Sequence, residues 1–127
     1  MLRRTPLLAV AVTACALLLI PAAAQAAGAP EAVAAKSCSL AGKTRDLGPT
    51  YTTALSVRNV SCSKGRALVR DYYDCRIDNG GRKARCGGVS GYSCSERRYD
   101  VIPTQFSATA TCKKGDKKVV HKYTQFT

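Results

Sequence analysis

From Tyr51 to Arg58 apolar and polar residues take turns. Tyr51, Thr53, Leu55 and Val57 alternate with mostly polar neighbours and favour extended backbone, so the pattern predicts a half-buried strand that Asn59 ends. The period then changes. Between Lys64 and Cys75, Leu68, Val69, Tyr72 and Cys75 recur at three- and four-residue steps, while Arg66, Arg70, Asp71 and Asp74 fall elsewhere. That stripe predicts an amphipathic helix of about three turns. Ser61 or Ser63 stands where an N-cap hydroxyl is needed, and Asn79-Gly80-Gly81 stops the segment.

Period two returns further on. Tyr92, Cys94 and Glu96 mark a second, short strand, and Pro103 breaks the chain. A third strand places Phe106, Ala108, Ala110 and Cys112 on one face and Ser107, Thr109 and Thr111 on the other. Gly115-Asp116 is a two-residue hairpin loop of the Gly-x type. That turn pairs Lys114 with Lys117, Cys112 with Val119, Ala110 with His121, Ala108 with Tyr123 and Phe106 with Gln125. Small residues then meet large ones, and His121 shares a face with Cys112 and Phe106. The fold class that follows is α+β: a small antiparallel sheet of about four strands with one packed helix. An internal echo offers a different reading of one segment. Cys62-Ser63-Lys64-Gly65 matches Cys112-Lys113-Lys114-Gly115, with Val69 against Val119 and Tyr73 against Tyr123. On that pattern residues 60–73 would form a hairpin around Lys64-Gly65.

The first residues belong to another problem. Arg3 and Arg4 precede an uncharged run from Leu7 to Ile20, and Ala24-Gln25-Ala26 follows as a small-residue cleavage site. These are the three parts of a secretory signal. The run falls short of the roughly 20 apolar residues of a membrane span. The predicted division is a signal peptide over 1–26, a flexible leader over 27–37 and a domain over 38–127. Val12-Thr13-Ala14-Cys15 resembles a lipoprotein signal, which would anchor the protein through Cys15. The residues after Cys15 stay apolar, which favours release instead.

Cleavage removes Cys15 and leaves Cys38, Cys62, Cys75, Cys86, Cys94 and Cys112. An even count in a small exported chain reads as three disulfides, and six cysteines allow fifteen pairings. A metal site is disfavoured, because there is no C-x-x-C and His121 is the only histidine. No cofactor motif is present.

Cleavage also removes Arg3 and Arg4, leaving 18 Lys and Arg against 8 Asp and Glu, a formal charge of +10. Such a surface attracts an anionic polymer, an anionic lipid or an acidic protein. The cations cluster in three places: Arg82, Lys83 and Arg85 in a loop, Lys113, Lys114, Lys117 and Lys118 around a turn, and Arg97 and Arg98 beside Tyr99. The first two sets are the candidate binding residues. Tyr92, Tyr99 and Tyr123 could stack on bases, although core packing claims most of them.

Catalytic chemistry has few residues to use. The best constellation is a small ribonuclease, with Glu96 as base, His121 as acid and Arg97 or Arg98 as phosphate clamp. The expected function is a secreted, non-enzymatic basic binding domain for an anionic extracellular or cell-wall partner. An inhibitor or antimicrobial of interbacterial competition is the alternative, and the ribonuclease a further one.

Val60-Ser61-Cys62 followed by Leu68-Val69 and Tyr72-Tyr73, together with Gly91-Tyr92-Ser93-Cys94 and Thr111-Cys112, resembles small secreted cysteine-rich actinobacterial proteins over residues 38–127. The resemblance implies export and disulfides and supplies no activity.

Overall fold

The computed structural model describes residues 33–127. The segment read as a signal peptide, with Cys15, and most of the leader lie outside the described residues. Six strands and one helix follow in the order β1 (Lys36–Ser37), β2 (Tyr51–Arg58), α1 (Cys62–Asp78), β3 (Gly88–Val89), β4 (Tyr92–Ile102), β5 (Gln105–Lys114) and β6 (Lys117–Phe126). The strands form one antiparallel sheet in the order β1-β2-β6-β5-β4-β3.

The α+β class with one helix therefore holds, but the sheet has six strands rather than about four. The two extra strands are two-residue edges, too short to leave a periodic trace. Lys36 and Ser37 pair with Val57 and Ser56, inside the stretch read as leader. Gly88 and Val89 pair with Ser93 and Tyr92 around Ser90-Gly91, both with positive φ, which suits a type I′ turn.

The β5–β6 register agrees at every pair the sequence predicted, from Lys114↔Lys117 to Phe106↔Gln125. Gly115 has φ +58°, as the first central residue of a II′ turn requires. Two expectations change. In β2 the register slips between Thr52 and Ala54. One extra residue reverses which side points inward, so Thr52, not Tyr51 or Thr53, joins Leu55 and Val57 in the core. β4 is also much longer than the short strand expected, because its half-buried positions carry Glu96 and Arg98 rather than apolar residues.

The segment at 60–73 is helical, not a hairpin. Ser61 is the N-cap, and its hydroxyl accepts from the Lys64 amide at 3.1 Å. The helix runs past the three turns expected, to Asp78, and the Asn79 amide bonds back to the carbonyls of Cys75 and Arg76. Its buried residues are Gly65, Leu68, Val69, Tyr72 and Arg76. They pack on Leu55 and Val57 from β2, on Phe106, Ala108, Ala110 and Cys112 from β5, and on Val119 and Tyr123 from β6. The sheet thus has one face covered by α1 and one open.

The disulfides are Cys38–Cys62, Cys75–Cys86 and Cys94–Cys112. The first two fasten the start and end of α1, and the third links directly opposed residues of β4 and β5. Closing loops of 24, 11 and 18 residues restrains the unfolded chain by about 3 kcal/mol each.

Candidate functional site

The polar residues proposed for catalysis fall largely inside the protein. On the covered face, Glu96 lies beneath α1 with its side chain only 1% exposed. Its carboxylate accepts from the Tyr72 hydroxyl at 2.8 Å, from Arg98 Nε at 2.6 Å and from the Tyr123 hydroxyl. Arg76, fully buried, donates to that same Tyr123 hydroxyl and to Gln125 Oε1 at 2.8 Å. Tyr123 thereby joins a buried cation to a buried anion, and its hydroxyl offsets part of the cost of taking each out of water. Sequence periodicity missed Arg76. A cation on the apolar stripe, one helical turn from Tyr72 and three residues before a Gly-rich stop, was the available signal.

Burial alone would push the Glu96 carboxyl up. Hydrogen bonds from Tyr123, Tyr72 and Arg98, with the charge of Arg98, outweigh it and hold the group below the usual carboxylate range. The two hydroxyls are pushed up, chiefly by burial, and stay protonated. His121, 1% exposed, stacks on Tyr123 and meets Tyr72 edge-on. Burial, then the nearby Arg76 charge, lowers it to about 4. Its Nε2 has no hydrogen-bond partner among the described residues. His121 is therefore a neutral ring in the core at neutral pH.

Arg98 is also spoken for. Besides Glu96, it donates to the carbonyls of Lys83 at 2.9 Å and Ala84 at 2.8 Å. Arg97 points to the opposite face of the strand. The four candidates do not converge on a site that a phosphate can enter. Glu96, Arg98 and His121 belong to the packing, and Arg97 stands alone outside.

The two candidate binding clusters separate as well. The loop with Arg82, Lys83 and Arg85 is held against β4 from the helix side by Arg98 and by Arg85 Nη1, which donates to the Glu96 carbonyl at 3.3 Å. The lysine turn is divided by strand alternation. Lys114 and Lys117 join α1 residues around a cleft on the covered side. Lys113 and Lys118 face the other way and border a shallow depression of about 470 Å³ with Ser93, Ser95 and Thr111.

That open face carries an ordered set of side chains. Register aligns four rows across β4, β5, β6 and β2. The first is Ser93, Lys113, Lys118 and Arg58. The second is Ser95, Thr111, Val120 and Ser56. The third is Arg97, Thr109, Lys122 and Ala54, and the fourth is Tyr99, Ser107, Thr124 and Tyr51. No position in these rows is Asp or Glu. The cationic first and third rows lie four residues apart, roughly 13 Å along a strand. A band of hydroxyls separates them. Arg58 Nε, on the first row, has no partner among the described residues. Sequence reasoning saw Ser107, Thr109 and Thr111 as one outward face but missed Arg58 and Lys122, because neither belongs to a cluster in sequence.

All six described cysteines are in disulfides, and no group of three His, Cys, Asp or Glu is placed to hold a metal among the described residues. No helix among them is long and apolar enough to cross a membrane. Compared with known families, curated proteins and solved structures, the chain matches none.

Proposed function

We propose that this is an exported, non-enzymatic binding module for an anionic extracellular polymer, with the open face of the sheet as its contact surface. The observation that carries the reading is the two cationic rows, Arg58, Lys113 and Lys118 in one and Arg97 and Lys122 in the other, with no carboxylate among or between them. An anionic chain crossing the sheet meets a cation at each row and hydroxyl donors between them. The core behind the face is cross-linked, so binding orders little of the protein. Affinity of this kind comes from released counterions and falls steeply with salt.

The test is the affinity for a phosphodiester polymer, such as poly(glycerol phosphate), across a salt series. Replacing Arg97, Lys118 and Lys122 together by Gln is expected to weaken binding by at least about tenfold at low salt. It should also flatten the salt slope by about 0.7–0.9 for each phosphate no longer neutralised. The same number of changes in the loop, Arg82→Gln, Lys83→Gln and Arg85→Gln, is expected to do much less. Equal weakening by both triples would contradict the assignment to this face. Salt-resistant capture of a single protein would favour an inhibitor, and dye release from anionic vesicles an antimicrobial.

A further inference from the structure

A second surface lies on the covered side of the sheet, where the first turns of α1 face the β5–β6 turn. It is a cleft of about 380 Å³. Three lysines from three elements border it: Lys64 of α1, Lys114 of β5 and Lys117 of β6. Lys64 and Lys114 are also the matching positions of the fifty-residue echo, so the repeat in sequence ends as two cations on one cleft. Leu68 contributes an apolar wall, and Tyr92 a half-buried ring with Lys114 Nζ 5.9 Å from its centre.

Two carboxylates lie nearby, each in a hydrogen bond with a neutral donor. Asp71 borders the cleft and accepts at 2.8 Å from the hydroxyl of Ser90, which borders it too. Asp116, in the turn, accepts from Asn59 Nδ2 at 3.2 Å. The ion pairs among the described residues all involve Glu96. None of the three ammonium groups is in an ion pair among the described residues. With Asp71 the formal charges bordering it total three positive and one negative, a net of two positive.

We infer that this cleft binds a small organic phosphate, a phosphate monoester carried on a flat apolar body. A phosphate monoester brings about −1.5 to −2 charges at neutral pH, which matches that balance. Its oxygens accept from ammonium donors, and the body lies between Tyr92 and Leu68. A cleft of this size with an apolar wall and a few convergent polar groups suits a ligand rather than a polymer. The inference is independent of the proposed polymer surface, since the two share no residue and lie on opposite faces of the sheet.

The probe is phenyl phosphate at low ionic strength, followed by methyl and ring NMR shifts of Leu68 and Tyr92 and by calorimetry. Saturable shifts at those two residues are expected. Lys64→Gln, Lys114→Gln and Lys117→Gln together should weaken binding by roughly tenfold or more. Arg97→Gln with Lys122→Gln should leave it unchanged. Inorganic phosphate should bind several-fold more weakly than phenyl phosphate, and benzyl alcohol not at all. The three lysines are exposed, so the triple variant should fold; Tyr92→Ala provides a second, independent variant that removes the ring. Absence of saturable shifts at Leu68 and Tyr92, undiminished binding by the lysine triple, or equal binding of inorganic phosphate would each overturn the inference.

Discussion

Tyr123 holds together the charges beneath the helix, because its one hydroxyl both accepts from Arg76 and donates to Glu96. Tyr123→Phe keeps the ring and its stacking but leaves two buried charges short of a partner. Unmet buried polar groups cost about 1–3 kcal/mol each. The urea midpoint should fall accordingly, while Tyr99→Phe, at an exposed position, should leave it in place. His121 gives the protein a pH dependence of definite sign. It holds its proton more weakly folded, at about 4, than unfolded, at the ordinary 6.5. The unfolded chain therefore gains protons first as pH falls, and stability drops between about 6.5 and 4 by about 3 kcal/mol. Glu96 acts in the same direction: its lowered value stabilises the fold above the ordinary carboxylate range, and that contribution is lost as pH falls through its folded value. His121→Phe preserves the aromatic packing and removes the titration. Denaturation curves of this variant should be flat from pH 6.5 to about 5, where the parent declines.

The helix packs tightly on the sheet at Gly65. A Cβ there would stand 2.6 Å from Val57 Cγ1, well inside van der Waals distance. Gly65→Ala should thus destabilise by about 1–3 kcal/mol through overpacking, although alanine normally gains about 1 kcal/mol over glycine within a helix. Pairing it with Val57→Ala should recover part of the deficit, so the double-mutant cycle should show favourable coupling. Much of this level was legible in the sequence. The helix, the β5–β6 register and its turn follow from period and turn chemistry, which are local. Three features were not legible. The bulge in β2 reverses parity without any change in composition, because Thr52 and Thr53 are the same residue type. The two edge strands are too short to have a period. Arg76 breaks the apolar stripe that periodicity looks for, and its burial rests on partners on β6, 47 and 49 residues away, together with the Arg82 carbonyl.

Residues 33–127 divide into a cross-linked covered side and an open cationic side, and neighbours in sequence separate between them. Lys113 and Lys118 go to one face, Lys114 and Lys117 to the other. Net charge was plain from composition, but its distribution depends on strand alternation, so the sequence clusters did not reveal the rows. The covered side also took in three of the four residues considered for catalysis, which residue types alone could not foresee. Glu96→Gln should therefore act on stability, lowering the denaturation midpoint, rather than on affinity for a polyanion.

The polymer assignment is tested most directly by amide chemical shifts of the folded domain during titration with poly(glycerol phosphate) at low salt. Salt-reversible shifts are expected along β4, β5, β6 and β2, centred on Arg58, Arg97, Lys113, Lys118 and Lys122. Shifts confined to residues 82–86, or none on the open face at saturating polymer, would contradict it.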